Sequence, residues 1–321
     1  MNKSDKIYVA GHRGLVGSAL IRNLQKKGYT NLLTRTHAEL DLTDERAVAG
    51  FFKSEKPEYV FLAAAKVGGI HANNTYPAEF IHENLAIQIN VIHHAYLNNV
   101  KRLLFLGSSC IYPKKCPEPI KEDYLLTSSL ESTNRPYAIA KIAGIEMCWS
   151  YNRQFDTQYL AIMPCNLFGK EDNYHQENSH VIPALIRKFH EAKVNKSPTV
   201  DVWGTGTPKR EFLYSEDLAD ACIYLANLPQ NRFQSLLKDR QRPPLINVGY
   251  GTQITVAELA ATIKNITGYD GQIVFDTNRP NGTHSKLLDS KYINDIGWKP
   301  KVSLIDGLQL SYQDFLDKEV I

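Results

Sequence analysis

The chain has 321 residues, of which 22% are charged, and its formal net charge is +3. This length suffices for one large core or two coupled domains, and so small a charge excludes strong attraction to nucleic acid or a membrane surface. No apolar run approaches the roughly 18 residues of a membrane span, and the amino terminus has no apolar signal segment. Five cysteines without a CxxC spacing indicate reduced thiols, so we expect a cytoplasmic location.

Strand and helix patterns alternate along the first half of the chain. The apolar runs that predict strands lie at 6–11, 31–36, 58–65, 100–109 and 157–169. The helical patterns lie between them, at 15–28, 43–57, 77–99 and 134–155. Strict alternation predicts an α/β fold over residues 1–165, with a Rossmann-type doubly wound parallel sheet and helices on both faces.

After residue 165 the alternation loosens, which predicts a smaller C-terminal α/β substrate domain over 166–321. Its helical patterns lie at 180–192, 216–228 and 255–268, and its strand patterns at 198–214 and 272–276. We expect this half to be a lid without an independent core. We also expect residues 211–228 to pack back on the first domain and residues 229–244 to be a polar surface excursion.

Three glycines lie directly between the first predicted strand and the first predicted helix, in "GHRGLVG". Without side chains at these positions, backbone N–H groups approach the pyrophosphate of a dinucleotide at the helix N-terminus. We therefore predict a dinucleotide site; the alternative is a tight turn without a ligand. The loop residues assigned to this site are Gly11, His12, Arg13, Gly14, Leu15, Val16 and Gly17.

Two arginines favour NADP over NAD as the dinucleotide. An NAD site usually has an acid at the end of the second strand, where this chain has Arg35, and Arg13 lies inside the glycine loop. Two guanidinium groups suit a 2′-phosphate dianion; the alternative is that both are ordinary surface charges. Asp41 and Leu42 are candidates to flank the adenine, with a solvated carboxylate or helix cap as the alternative for Asp41.

A YxxxK pair and a serine form the candidate reactive site. Tyr137 and Lys141 are four residues apart in a helical pattern and therefore share one face. We expect the lysine ammonium to stabilise the phenolate and lower the pKa of Tyr137. By strand alternation Ser108 and Cys110 face the same side, which would place a thiol beside a hydroxyl. A buried cysteine taken alone is more often inert packing.

In order, the motifs GxxGxxG, GSS and YxxxK resemble the extended short-chain dehydrogenase/reductase family. The resemblance covers nearly the whole chain, and "GSSCIYP", "NSHVIPALIRKFHEA" and "WGTGTPKREFLY" are similar to members that act on a GDP-linked sugar. It implies an NADP-dependent oxidoreductase with epimerase activity. The implied reaction is 3,5-epimerisation of GDP-4-keto-6-deoxy-D-mannose followed by NADPH-dependent reduction at C4.

The resemblance also implies roles for individual residues. Cys110 is expected to be the base of the epimerisation and His180 the acid, an order that rests on the resemblance alone. Tyr137 is expected to donate the proton of the reduction, while Ser108 holds the ketone oxygen. The other implied cofactor contacts are Arg35, His37, Asp41, Leu42, Leu106, Gly107, Ser108, Ser109, Lys141, Pro164, Cys165, Asn166, Leu167 and His180. The implied substrate contacts are Lys188, Trp203, Arg210 and Asn281.

At three positions the chain departs from the family pattern. Lys188 replaces an arginine, which removes a bidentate phosphate contact. His37 replaces an arginine that contacts the 2′-phosphate, so the strictness of NADP over NAD is open. Asn281 replaces an aspartate at the substrate, which leaves that contact open as well.

Other functions are weighed against the same motifs. A sugar dehydratase would have an acid pair after the strand-end serine, which "SSCIYP" lacks. A 4-epimerase that keeps NAD bound needs no base such as Cys110. The alternatives kept are another nucleotide-sugar epimerase/reductase and a non-catalytic NADP-binding protein on the same fold. The expected partners are a nucleotide sugar and, by resemblance, a second copy in a homodimer, with no nucleic acid and no membrane.

Overall fold

The computed structural model describes residues 1–175, 179–239, 241–279, 281 and 284–318. In chain order the strands are β1 (Ile7–Ala10), β2 (Leu32–Leu33), β3 (Tyr59–Leu62), β4 (Arg102–Leu106), β5 (Tyr159–Pro164), β6 (Asn166–Phe168), β7 (Thr199–Trp203), β8 (Lys209–Arg210), β9 (Phe212–Tyr214), β10 (Leu245–Val248), β11 (Ile254–Thr255) and β12 (Gln272–Asp276). The helices are α1 (Leu15–Lys26), α2 (Glu45–Glu55), α3 (Ile70–Thr75), α4 (Pro77–Leu97), α5 (Arg135–Phe155), α6 (Val181–Val194), α7 (Ser215–Ala226), α8 (Gln230–Leu237), α9 (Val256–Thr267), α10 (Lys291–Asp295) and α11 (Leu304–Asp317).

A six-stranded parallel sheet forms the centre of the first lobe. Its strand order is β10–β5–β4–β3–β1–β2, and each neighbouring pair is parallel. Every residue of β1, β4 and β5 is buried, as apolar strands between two helix layers require. The chain runs from β1 out to β2 and then crosses to β3, so its direction across the sheet reverses between β1 and β3. The predicted doubly wound α/β fold is confirmed, and ligands bind such sheets at the carboxyl ends of the strands beside the reversal.

Helices cover the sheet in two layers whose ends follow local sequence signals. α1 packs against α7, while α4 packs against α2 and α5. α1 ends just before Gly28, which has a φ of +81°. α2 begins after Asp44, whose carboxylate accepts the N–H groups of Arg46 and Ala47. Among the described residues, no helix combines the length and apolarity that crossing a bilayer demands.

The second lobe has a hydrophobic core of its own, which contradicts the expectation of a lid without one. α6 packs against α9 and α11, and β7 pairs with β12. Phe189, Leu259 and Leu308 are almost fully buried in this second cluster. The lid prediction is wrong because these helices bury their apolar stripes against each other and not against the first lobe. The domain boundary near residue 165 stays a prediction.

Residues 229–244 are not simply a polar excursion. They contain α8, whose Phe233 is fully buried with the Arg102 guanidinium 4.2 Å from its ring centre. The same guanidinium donates to the carbonyl groups of Ala226 and Leu228 and to the Gln230 side chain at 3.0 Å, which ties the start of α8 to the first residue of the central strand β4. Phe233 and Leu236, both buried in the core of the first lobe, thus fix this otherwise polar helix in place.

Candidate active site

The glycine loop joins β1 to α1 at the point where the sheet order reverses. Gly11 has a φ of +82°, and a Cβ there would lie 2.7 Å from the backbone nitrogen of Ala64. A Cβ on Gly17 would overlap the carbonyl oxygen of Gly11. α1 begins after Gly14 without a side-chain cap and without an acidic residue in its first turn. Its first N–H groups are thus left for an anion, which fits the pyrophosphate of a dinucleotide.

The two arginines predicted to hold the 2′-phosphate differ in their surroundings. Arg13 is exposed at the glycine loop. Arg35 already pairs with Glu55 at 2.7 Å and donates to the Thr34 carbonyl at 2.8 Å. The Arg35 guanidinium thus shares its charge with the carboxylate at the end of α2, and its contact with a 2′-phosphate stays a prediction.

The remaining residues assigned to the glycine loop, the 2′-phosphate and the adenine are held mainly by local contacts. His12 has a buried Nδ1 without a partner, and burial lowers its pKa. The exposed His37 lies 3.8 Å from the Asp41 carboxylate. Asp41 accepts the N–H and hydroxyl of Thr43, which lowers its pKa and supports its alternative role as a turn residue. The Leu42 side chain belongs to the core, and its carbonyl accepts the Asn90 side-chain N–H at 2.9 Å.

The strand-end segment after β4 does not continue as a strand. β4 ends at Leu106, and residues 109–111 form a 3₁₀ turn, so strand alternation is the wrong reason for pairing Ser108 with Cys110. The turn itself brings them together: the Ser108 hydroxyl accepts the Cys110 N–H at 3.4 Å and also hydrogen bonds the thiol. Gly107 and Ser109 are buried, and a Cβ on Gly107 would overlap the Met163 side chain.

Tyr137 and Lys141 lie one turn apart near the start of α5, beside this turn. The Lys141 Nζ donates to the Leu106 carbonyl at 2.7 Å and lies 5.7 Å from the Tyr137 ring centre. Burial lowers the pKa of Lys141 to about 8. Burial also raises the pKa of Tyr137, and the nearby Cys110 adds to the rise. The expected lowering of the tyrosine pKa is therefore wrong, because desolvation of the phenolate outweighs the lysine charge.

The Cys110 thiol belongs to the same cluster as Tyr137 and Lys141. Only 8% of the residue is exposed. Burial raises its pKa, while the ammonium groups of Lys286 and Lys141 and the Ser108 hydroxyl oppose that rise. The sulfur therefore interacts electrostatically with both members of the YxxxK pair. The structure brings together Ser108, Cys110, Tyr137 and Lys141.

His180 is the N-cap residue of α6 in the second lobe. Its ring makes no capping hydrogen bond, which leaves the alternative of a plain helix cap without support. The side chain is exposed to solvent although many protein atoms surround it, and this desolvation lowers its pKa. A neutral imidazole in an open cleft is available to a substrate.

The segment after β5 closes the base of the site. Pro164 ends β5, and the buried Cys165 donates its thiol to the Asn166 carbonyl at 3.7 Å. The Asn166 side chain donates to the backbone carbonyl of Glu211 at 3.1 Å, while Leu167 continues into β6. This segment thus links the main sheet to the second lobe at the cleft.

The four predicted substrate residues cluster in the second lobe. Trp203 is 48% exposed, with the Lys188 Nζ 5.5 Å from its ring centre. Arg210 donates to the Asn281 carbonyl at 3.2 Å, and the Asn281 side chain accepts the N–H of Thr205 at 2.8 Å. They form an aromatic and cationic surface of the kind that suits a nucleotide diphosphate.

Three residues of the site escaped the sequence analysis. Arg279 lies 4.8 Å from the Trp203 ring centre, on the same indole as Lys188. Lys286 faces the Cys110 thiol. The buried Glu211 carboxylate accepts the N–H groups of Gly251 at 2.7 Å and Leu288 at 3.0 Å. Their sequence neighbourhoods, "PKREFLY" for Glu211 and "HSKLLDS" for Lys286, carry no pattern that would have indicated a site.

A family model places this architecture among known proteins. The model of the NAD dependent epimerase/dehydratase family matches residues 7–237. The chain belongs to this family. Its curated relatives include the GDP-L-fucose synthase of Escherichia coli (strain K12), 52% identical over 98% of this chain and 97% of the relative. Another is GDP-L-fucose synthase 1 of Arabidopsis thaliana, 57% identical over 98% and 94%. The resemblance inferred from the motifs is confirmed.

Solved structures of family members have the same fold. A GDP-6-OMe-4-keto-L-xylo-heptose reductase from C. jejuni is 42% identical with a TM-score of 0.94, and the match covers 99% of each chain. A GDP-L-fucose synthetase from Naegleria fowleri bound to NADP is 25% identical with a TM-score of 0.87, over 99% of this chain and 96% of the other.

Proposed function

We propose that this member of the family is a GDP-L-fucose synthase. It inverts C3 and C5 of GDP-4-keto-6-deoxy-D-mannose and then reduces C4 to give GDP-L-fucose. The observation that carries the proposal is the meeting of a thiol, a phenol and a buried ammonium around Ser108 at the end of β4. The names and full-length identity of the curated relatives support the same reaction.

The first step uses the acidity that a C4 ketone gives to the hydrogens on C3 and C5. The Ser108 hydroxyl donates to the ketone oxygen and stabilises the enolate. The Cys110 thiolate removes the proton from one face, and the electron pair moves toward the C4 oxygen. His180 then delivers a proton to the opposite face, which inverts the centre. Solvent restores the protonation states of both groups.

The second step uses the same ketone once both centres are inverted. NADPH, when bound, supplies the hydride for C4. Tyr137 donates its hydroxyl proton to the C4 oxygen, and the Lys141 ammonium stabilises the phenolate that remains. Proton donation of this kind contributes about 10²–10⁴-fold to a rate. One carbonyl thus serves both reactions, which is why one cleft suffices.

The residues present fit an NADP cofactor. The uncapped start of α1 suits the pyrophosphate, and the exposed Arg13 suits the 2′-phosphate. Arg35 is a second ligand for the 2′-phosphate if its guanidinium binds the phosphate and Glu55 together. Lys141, which is next to the strand-end segment 106–109, is assigned to the nicotinamide ribose. The NADP bound to the Naegleria fowleri protein supports the choice of dinucleotide.

The substrate diphosphate is assigned to the cationic cluster of the second lobe. Arg210 and Lys188 bind the phosphates, while Trp203 packs on the base or sugar. Asn281 orders the Arg210 side chain through its carbonyl. The guanine base is taken from the relatives and not from the chemistry of this cluster.

Two copies of the chain associate, in this proposal, through α4 and α5. These helices pack on each other and leave Ile89, Leu97 and Phe155 exposed on their outer side. A four-helix contact between two copies would cover that apolar surface. All five cysteines are free thiols, which supports a cytoplasmic location.

Two single substitutions distinguish epimerisation from reduction when deuterium exchange and NADPH oxidation are both measured. In Cys110→Ser, exchange of solvent deuterium into C3 and C5 should fall about 100-fold or more, while reduction of a pre-epimerised 4-ketone stays within a few-fold. In Tyr137→Phe, NADPH oxidation should be lost and exchange retained. NMR follows the exchange and absorbance follows NADPH, with GDP-mannose, which has no ketone, as the control substrate.

Equal losses of exchange and reduction in both variants would refute the separate roles. Absence of NADPH oxidation by the unaltered protein, with the keto sugar and excess NADPH, would refute the reaction and favour a non-catalytic binding protein.

A further inference from the structure

The segment 284–289 is fixed against the active site at several points. The Ile120 N–H donates to the Leu287 carbonyl at 2.7 Å, and the Asp289 N–H donates to the Ile120 carbonyl at 2.8 Å. The buried Glu211 carboxylate accepts the Leu288 N–H. Before these contacts, the His284 carbonyl accepts the N–H of Lys209 at 2.9 Å. The backbone on both sides of Lys286 is therefore fixed, so the position of its Cα atom at the cleft is well defined.

Lys286 and Cys110 line the same small cavity. The cavity is also lined by Cys116, Glu118, Glu131 and Asn134. Both carboxylates are engaged elsewhere: Glu131 accepts from Thr133 and the Asn134 N–H, and Glu118 accepts from the Ser285 hydroxyl at 2.7 Å. The Lys286 ammonium is partly buried and, among the described residues, forms no ion pair with either carboxylate.

The charges around the Cys110 thiol and the Lys286 ammonium indicate that these two groups interact with each other most strongly. Cys110 faces the ammonium groups of Lys286 and Lys141 and the phenol of Tyr137. The Lys141 Nζ is committed to the Leu106 carbonyl. Among the charge interactions of Lys286, that with Cys110 is the largest and favours the ammonium form. Arg210 disfavours that form, whereas Cys116 and Glu131 favour it. The attraction between Cys110 and Lys286 is the largest charge interaction of either group.

We propose that Lys286 is a positioning residue for epimerisation: its ammonium stabilises the thiolate of Cys110, the form that abstracts the sugar proton. The inference rests on the proposed function for the role of Cys110. It assigns the second lobe a part in the proton chemistry, because Lys286 reaches the thiol from a segment that follows β12.

Alkylation of Cys110 by iodoacetamide tests this electrostatic effect without turnover. The full chain is treated across pH 6–10, and modification of Cys110 is resolved from that of Cys116 by peptide fragmentation in a mass spectrometer. In Lys286→Met the rate at pH 7.5 should fall about tenfold or more and the titration midpoint should rise, because an opposite charge this close shifts a pKa by about 1–3 units. Lys286→Arg, which keeps the charge, should restore most of the rate.

Lys114→Met is the matched control. Lys114 lines the same cavity and is exposed, but it is not among the charges that face Cys110. Its removal should leave alkylation within twofold. If circular dichroism shows that Lys286→Met does not fold, Lys286→Gln gives the same comparison with a polar side chain.

Turnover gives a second readout. Deuterium exchange into C3 and C5 should fall with the alkylation rate in Lys286→Met, while reduction of a pre-epimerised ketone is unchanged. An unshifted thiol titration overturns the proposal, and a raised KM for the substrate in that case assigns Lys286 to the diphosphate. Since alkylation needs no substrate, an inactive protein would refute the proposed function and leave this test decisive.

Discussion

At the scale of single residues, burial determines the protonation of the candidate site. Tyr137 and Cys110 both have raised pKa values, and that of Lys141 is lowered to about 8. A phenol that holds its proton is suited to donate it late, to an oxygen that becomes an alkoxide as hydride arrives. A thiol that holds its proton is a poor base, so the charges around Cys110 decide how much thiolate exists at neutral pH.

Arg13 is the residue whose charge best distinguishes the two dinucleotides. In Arg13→Ala we expect the KM for NADPH to rise about 10- to 100-fold, since a hydrogen bond to a charged group contributes about 1.5–3 kcal/mol. The KM for NADH, which has no 2′-phosphate, should stay within twofold. Steady-state kinetics with each cofactor measures the ratio.

Arg46→Ala is the control for the loss of a positive charge. Arg46 is exposed in the first turn of α2 and should change neither KM. Parallel increases for both cofactors in Arg13→Ala would mean that the arginine acts on the pyrophosphate or on the fold.

The motif residues of the site were predictable because each belongs to a local pattern. Tyr137 and Lys141 share a helix face, and Ser108 and Cys110 share one turn. Lys286 was not predictable, because nothing near it in the sequence indicates that β-pairing with Ile120 brings it to Cys110. The tyrosine pKa was predicted in the wrong direction because a spacing shows which charges are close but not how dry their surroundings are.

At the scale of elements, the turn between β1 and α1 carries the strongest steric constraint. Gly17→Ala would place a methyl group on the Gly11 carbonyl oxygen. We expect a loss of about 1–3 kcal/mol in the free energy of unfolding, as for overpacked cores, and weaker NADPH binding. Thermal unfolding and fluorescence titration with NADPH measure both effects.

Gly50→Ala provides the opposite outcome in the same protein. Gly50 lies within α2, and a Cβ there meets nothing within 4 Å. The substitution should raise stability by about 0.8–1.0 kcal/mol, because alanine is the better helix former. If Gly17→Ala were equally harmless, the tight packing of the loop would be disproved.

Long periodic elements were predicted well and short ones poorly. α4 and α5 follow helical patterns of more than twenty residues, and Asp44 and Gly28 mark helix ends correctly. β10 is a short apolar run, "LINV", between Pro244 and Gly249 that the sequence analysis did not assign, and it completes the sheet beside β5. The segment forms a strand because it pairs with β5, and a short stretch of sequence does not show a contact with so distant a strand.

At the scale of the whole molecule, the second core carries a buried carboxyl group beside α11. Burial raises the pKa of Asp172 to about 7, with Asp314 adding to the rise and Lys318 opposing it. Its Oδ2 is buried without a partner. The folded protein therefore keeps this proton up to about pH 7, whereas the unfolded chain releases it near pH 4.

This carboxyl should make stability fall as the pH rises from about 4 to 7. A raised carboxyl pKa means that the unfolded state binds fewer protons than the folded state in this window, so the free energy of unfolding decreases with pH. Asp172→Asn should remove that slope and be more stable than the unaltered protein by on the order of 2 kcal/mol at pH 8. Melting temperatures at pH 5 and pH 8 give the difference.

Asp317→Asn serves as the reference, because Asp317 is an exposed carboxylate of α11. It should shift the melting temperature equally at both pH values. If the difference in melting temperature between Asp172→Asn and the unaltered protein does not grow with pH, Asp172 is ionised in the folded state.

The cavity wall is shared by two stretches that are far apart in the chain, the turn at 109–116 and the segment 284–289. In the proposed function, the residues assigned to hydride chemistry lie in the first lobe, whereas the epimerisation also uses His180 and Lys286 from the second. Natural or engineered variation confined to the later stretch is therefore able to alter the stereochemistry of the product while leaving redox competence intact. Replacing the 284–289 segment is therefore expected to lower epimerisation and leave ketone reduction in place.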